Sequence, residues 1–277
     1  MTSRSAASSP TRDSTPSAAR ITRFAEIPST SGHARAEIGA GRLDPQPAVF
    51  VAAAQTDGVG RFHRTWQSPP GGLWLTLAWP LTEPELDKVL NGLGLRIGVG
   101  CLRVIQGALK GASGDPHVRL KWPNDILVHG RKVLGVLTEV VHGPPPEARP
   151  WVLIGVGINA NIDLRALQGE ARTHATSLAT ELGKKVDLAT LESDVLTELH
   201  RALSVHGLPR EILQEAAKHL HGLNRDTTVS LPDGTRIAGV LTGLNEHGMA
   251  VLDIEGRVFV PPLGSVIMND QPARSGH

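Results

Sequence analysis

The chain has 277 residues, 40% of them apolar, a formal net charge of +1 and one cysteine, Cys101. That is apolar material for a substantial core in one large domain, or in one large and one small. A charge so close to neutral argues against nucleic acid or a membrane surface as partner, and a lone cysteine excludes an intrachain disulfide.

Residues 1–22 are mostly Ser, Thr, Ala, Pro and Arg, with Asp13 the only acid. Such a stretch buries too little apolar surface to order itself, so a disordered tail is expected. An organelle transit peptide shares this composition. The N-terminus lacks the apolar stretch of a secretory signal, and no run reaches the length of a membrane span, so a cytoplasmic location is expected. Globular sequence begins at Arg23. Residues 48–55 (AVFVAAAQ) read as a buried strand, 56–72 as a long loop rich in Gly, Pro and Arg, and 74–79 as a second strand. Over 93–109, Ile97, Cys101, Val104, Ile105 and Ala108 hold helical spacing, which makes Cys101 a core thiol. Short strands follow at 118–121, 126–128, 133–141 and 151–156, with Gly130 in the turn between two of them. Helices are predicted at 187–206 and 209–221; Leu188, Leu191, Val195, Leu196, Leu199 and Leu203 form the apolar stripe of the first. Beyond Gly222 come strands at 227–231, 236–241, 249–254 and 258–260. The turn signals Pro232-Asp233-Gly234, Asn245-Glu246-His247-Gly248 and Glu255-Gly256 separate them. This is the pattern of a small β-barrel. Residues 269–277 are a polar tail.

The chain has no G-x-x-x-x-G-K-[ST], G-x-G-x-x-G or G-x-S-x-G, which disfavours P-loop, Rossmann and α/β-hydrolase chemistry. Its 12 histidines are scattered without cysteine or a second ligand at metal spacing, so no protein metal site is expected. Three segments carry chemistry. In Lys121-Trp122-Pro123-Asn124-Asp125, Pro123 interrupts any helix and leaves a cation, an amide and an acid at a strand end, as suits phosphate with Mg²⁺. In the loop from Gln55 to Trp66, Gly58 and Gly60 let backbone N–H groups converge on an anion, and Arg61 and Arg64 add cations. In Gly155-Val156-Gly157-Ile158-Asn159, glycines at a strand end allow a ligand close to the backbone. Each segment alone also fits an ordinary turn, surface loop or strand end.

Together and in this order, with Ser29-Thr30-Ser31 upstream, Ser68-Pro69, and Lys132-Val133-Leu134-Gly135-Val136-Leu137 with Glu139, these segments resemble the biotin–protein ligases over about residues 23–265. The resemblance implies an α+β fold: a mixed sheet with flanking helices, related to class II aminoacyl-tRNA synthetases, plus a small C-terminal SH3-like β-barrel. It implies a catalytic domain at 23–223 and an SH3-like domain at 224–268. It also implies the substrates biotin and ATP with Mg²⁺, activation of biotin to biotinyl-5′-AMP, and transfer to a lysine of a biotin carboxyl carrier protein. By the same resemblance Lys121 and Arg61 are catalytic. Ser29, Thr30, Ser31, Gln55, Gly58, Val59, Gly60, Arg61, Lys121 and Gly155 bind biotin; Arg61, Trp66, Asn124 and Asn159 bind ATP. A monomer or weak homodimer is expected.

Three positions depart from the family pattern. Val59 stands where the loop's first arginine is usual, His63 where its third glycine is, and Ser31 where an asparagine is. Losing an arginine removes a charge-assisted contact, so weaker retention of the adenylate, or altered loop closure, is expected. Two rivals compete. A lipoate–protein ligase of the same fold typically carries an Arg-Arg…Gly-Gly-Gly segment, absent here. The other is a non-catalytic biotin-binding regulator; a repressor of this family needs a DNA-binding domain that residues 1–22 cannot form.

Overall fold

A computed structural model describes residues 19–262 and 264–267; residues 1–18 of the tail expected at 1–22, and the tail expected at 269–277, lie outside the described residues. The chain order is β1 (Arg20–Ile27), α1 (Thr30–Gly39), β2 (Ala48–Gln55), β3 (Leu73–Pro80), α2 (Glu83–Leu90), α3 (Leu93–Ala108), β4 (Val118–Lys121), β5 (Asp125–Val128), β6 (Arg131–His142) and β7 (Pro150–Ile158). Short helices α4 (Gly169–His174) and α5 (Leu178–Leu182) precede α6 (Leu188–Leu203) and α7 (Arg210–Lys218). Strands β1 to β7 form one mixed sheet in the order β1-β2-β3-β7-β6-β5-β4; β1 and β2 are parallel and the other neighbours antiparallel.

Period-two alternation makes the two faces of this sheet different. Val49, Val51, Leu73, Leu75, Leu77, Val152, Ile154, Val156 and Ile158 point into the main core with α3 and α6, including Cys101, Leu102, Leu191 and Leu199. Burial pushes the Cys101 thiol up to about 12, as suits a packing residue. On the other face, Ala48, Phe50, Ala78, Trp151 and Leu153 pack against Ala34 and Ile38 of α1. Further along the same face the residues are Thr76, Gly135, Gly155 and Gly157, too small to fill the space.

The predicted strands and long helices are present within a few residues of their expected ends. The β5–β6 connection is a two-residue hairpin with His129 and Gly130 both at positive φ, 48° and 76°. Strand β1, α1 and α2 were not expected. β1 starts at Arg20, so residues 20–22, assigned above to the tail, are strand: parallel pairing from Arg20↔Ala48 draws them in although most of β1 is exposed. In α1 two glycines and a mixed face hide the helix, which Ser29 caps by accepting from the Gly32 N–H. A capping box between Thr82 and Glu85 starts α2.

The C-terminal unit comprises β8 (Asp226–Ser230), β9 (Arg236–Leu244), β10 (Ala250–Ile254), β11 (Arg257–Phe259) and β12 (Val266–Ile267). They form a five-stranded antiparallel sheet in the order β11-β10-β9-β8-β12 around Val229, Leu241, Ala250, Leu252 and Ile267, in keeping with the SH3-like expectation. Among the described residues no single helix is long and apolar enough to cross a membrane. The bent pair α2–α3 passes by length and composition only, and α3 is largely core.

Candidate active site

A cavity of about 1380 Å³ opens over the small-residue end of the sheet. Its floor is β6 and β7, where added Cβ atoms would collide with neighbours. At Gly155 a Cβ would meet Ser31 Oγ at 2.8 Å, and at Gly157 it would meet Trp66 Nε1 at 2.5 Å. The glycines are therefore the reason that Ser31 and Trp66 can lie on the sheet.

One end of the cavity is a polar relay. The Thr30 N–H and hydroxyl donate to Gln55 Oε1 at 2.8 and 3.0 Å, and Gln55 Nε2 donates to Ser68 Oγ at 2.8 Å. Thr76 Oγ1 lies 2.9 Å from both Thr30 Oγ1 and Ser31 Oγ. The relay fixes the orientation of the Gln55 amide and joins the α1 N-terminus to β2, β3 and the loop after β2.

That loop folds on itself. Val59 bridges Thr65, and the Gly60 N–H donates to the Arg64 carbonyl at 2.7 Å. Arg61 reaches across to donate to the carbonyls of Gly264 and Ser265, at 2.7 and 3.3 Å. Burial lowers the Arg61 pKa from its ordinary value, and the Asp125 carboxylate opposes that shift. The side chain of His63, which stands where the family loop has its third glycine, lies outside the described residues.

At the other end, Lys121 closes β4 opposite Asp125 in the β4–β5 pairing and is buried at 6% exposure. Asp125 pairs with Lys132 Nζ at 2.6 Å, and the same ammonium stands 4.9 Å from the Trp66 ring centroid. The Trp66 indole N–H is buried with no protein partner. Asn159 lies in the wall between these groups, its amide 3.5 Å from the Lys132 carbonyl. Arg225, Asp226, Arg236 and Gly239 of the C-terminal unit complete the wall.

The structure thus brings Ser29, Thr30, Ser31, Gln55, Val59, Gly60, Arg61, Trp66, Lys121, Gly155 and Asn159 to one cavity. Ser29 is at the same time the α1 cap. Gly58 and Asn124 do not line the cavity. A Cβ on Gly58 would meet the Trp66 carbonyl at 2.3 Å, so that glycine serves loop packing. Asn124 is buried and donates to the Val136 carbonyl at 3.2 Å. Sequence reasoning left out Thr76 as a site residue and named Asp125 and Lys132 only within their motif segments. Thr76 was detectable as the one polar residue within the apolar run of β3, and Lys132 as a cation in an apolar strand.

Such a cavity can hold a ligand with a polar head at the relay and an anionic group between Lys121 and the loop. Fold and site together define an α+β domain with a cavity on one face of a mixed sheet. Residues 27–159 match the Biotin/lipoate A/B protein ligase family. The chain is similar to the bifunctional ligase/repressor BirA of Bacillus spizizenii, 31% identical over 76% of this chain and 63% of that protein. It is also similar to the biotin–[acetyl-CoA-carboxylase] ligase of Mycobacterium tuberculosis, 28% identical over 84% of this chain and 82% of that one. The fold is that of the biotin protein ligase of Aquifex aeolicus, solved with biotin and ATP: TM-score 0.72, 24% identity, covering 91% of this chain and 99% of that one. The chain spans less than two thirds of the length of the BirA proteins it matches.

Proposed function

We propose that this chain activates biotin with ATP and transfers it to a lysine of a biotin carboxyl carrier protein. The observation that carries the reading is the meeting of the Thr30–Gln55 relay, the Arg61 loop and the buried Lys121 in one cavity. The name of the M. tuberculosis relative supports the acceptor class. A catalytic unit at 23–223, an SH3-like domain at 224–268, a cytoplasmic location and a monomer or weak homodimer belong to the same proposal.

In the first step a biotin carboxylate oxygen bonds to the α-phosphorus of ATP, the bond from that phosphorus to the β-phosphate bridge breaks, and pyrophosphate leaves. In the second the acceptor amine bonds to the acyl carbon, AMP leaves, and the amine proton passes to solvent. Both reactants of the first step are anions, so positioning and charge neutralisation matter more than proton transfer. The Lys121 ammonium serves both anions; one contact at about 4 Å and an effective dielectric near 20 is worth about 4 kcal/mol before desolvation. Thr30, Ser31, Gln55 and Gly155 form the end that holds the ureido ring, where an unpaired analogue is rejected strongly. Val59 and Gly60 edge this pocket, with Arg61 beside the adenylate; Trp66 and Asn159 line the nucleotide side.

Among the described residues no three His, Cys, Asp or Glu side chains gather into a metal site. Mg²⁺ enters with the triphosphate as part of the substrate. The test is biotin-dependent ATP–pyrophosphate exchange, with lipoate and octanoate offered separately, on the parent and on Lys121→Ala. Exchange with biotin alone and a loss of about 10²- to 10³-fold in the variant are expected. Exchange that prefers lipoate, or an undiminished variant, defeats the reading.

A further inference from the structure

The residue after Lys121 does not belong to the main core. Trp122 is 4% exposed and packs in the core of the C-terminal unit, among Val229, Leu241 and Leu252. Its indole N–H donates to the Gly248 carbonyl at 2.9 Å, a buried bond spanning 126 positions of sequence. From the opposite side α3 presses on the same turn: a Cβ on Gly98 would meet the Pro123 carbonyl at 3.1 Å. The backbone just before Lys121 is held as well. The Leu120 N–H donates to the His219 carbonyl at 2.9 Å, and the His221 N–H donates to the Leu120 carbonyl at 2.8 Å, where the chain runs from α7 into the C-terminal unit. Arg61 independently donates to Gly264 and Ser265 of that unit. Lys121 and Arg61 thus take their places by reference to one body.

Resting on the ligase reading above, we infer that Trp122 is a positioning residue: seated in the C-terminal core and bonded to the Gly248 carbonyl, it sets where the neighbouring Lys121 ammonium stands. The C-terminal unit then contributes to adenylate formation through the β4–β5 turn, without touching biotin. The biotin end depends on a different set of contacts, from Thr30, Ser31, Gln55 and Thr76, so it is insulated from this anchor. A misplacement of about 1 Å in a charge-positioning group costs up to about 10²-fold in rate.

Trp122→Phe keeps the ring and removes the donor. Gly248→Ala acts from the acceptor side: φ there is +74°, and the new Cβ would sit 2.9 Å from Leu95 Cδ2 and from Leu208 Cδ2. Each is made in the full chain, alone and combined with Lys121→Ala, and each is checked for folding by thermal melting. The expected result is about a tenfold fall in kcat for pyrophosphate exchange, with KM for biotin unchanged. In the Lys121→Ala background no further fall is expected, because a residue acting through Lys121 has nothing left to position. An equal fall in both backgrounds overturns the inference, as does a folded Trp122→Phe with the parent's kcat. If Trp122→Phe does not fold, the same two outcomes are read from Gly248→Ala; failure of both to fold would make the contact structural and overturn the inference too. A parent without biotin-dependent exchange would overturn the ligase reading and this inference together. Exchange in the parent with equal losses would overturn this inference alone.

Discussion

Gly155 and Gly157 lie two residues apart on one face of β7, so their side-chain directions are parallel, yet they support different ends of the cavity. Neither has a positive φ, so an alanine at either site meets only contact cost. At Gly155 the new Cβ stands 2.8 Å from Ser31 Oγ, the far end of a small rotatable side chain. Rotating it away sacrifices the 2.9 Å bond to Thr76, about 1 kcal/mol or roughly fivefold. At Gly157 the Cβ stands 2.5 to 2.9 Å from three atoms of the Trp66 indole. A rigid ring cannot rotate clear; it must translate by about 1 Å against a normal contact of roughly 3.5 Å or more. Overpacking of this kind costs about 1–3 kcal/mol, or roughly 5- to 150-fold. Gly155→Ala is therefore expected to raise KM for biotin with little effect on ATP, and Gly157→Ala to raise KM for ATP by the larger factor with little effect on biotin. Pyrophosphate exchange with each substrate varied in turn measures both. Equal rises in the two KM values for either variant would refute the assignment of the two ends of the floor.

Two other outcomes can be checked directly. Val59 is 40% exposed on the cavity rim; Val59→Arg restores a cation beside an anionic ligand and should slow release of the adenylate about tenfold in a filter-binding chase, consistent with a charge-assisted bond of about 1.5 kcal/mol, and an unchanged release rate would dismiss the role given to this position. Arg96 in α3 is buried and donates to the carbonyls of Val89, Asn91 and Gly207, with burial lowering its pKa to about 10; Arg96→Leu strands these acceptors, costing about 3 kcal/mol, and should lower Tm by roughly 6–12 °C in a scanning melt, so a shift under about 2 °C would count against it.

What could be read from the chain follows how each element is stabilised. Strands β2 and β4 were predicted at their observed bounds: β2 is a long apolar run that follows a proline, and β4 is a short stretch of alternating apolar and charged residues that Trp122-Pro123 stops. Helices α3 and α6 were found from stripes that face the main core. Strand β1 was not, since it lies at the sheet edge, mostly exposed, and owes its conformation to β2. For α1 the cap and the contact with the sheet replace propensity: Ser29 supplies the first, Ala34 and Ile38 the second. Helix α2 was legible in principle, through Thr82-Glu83-Pro84-Glu85, a capping box with proline in its first turn.

The site divides in the same way. Lys121, read from the sequence at a strand end, closes β4 and lines the cavity. Motif residues with two uses did not separate until their neighbours were known. Gly58 and Gly60 look alike in the loop, but only Gly60 lines the cavity, because the Gly58 Cα is pressed against the Trp66 carbonyl. Asn124 and Asn159 look alike as amides beside phosphate, and each donates to a backbone carbonyl, of Val136 and of Lys132, but only Asn159 lines the cavity. The second use in each case is a tertiary contact; the Trp122–Gly248 bond, spanning 126 positions, and the Arg61 bonds to Gly264 and Ser265, spanning 203 and 204, reach across far more of the chain. A motif can therefore specify a cation, while the element that holds the cation still lies beyond any local pattern. In this chain that element is a separate β unit more than a hundred residues downstream, and its hold on Trp122 depends on a backbone carbonyl, which every residue carries.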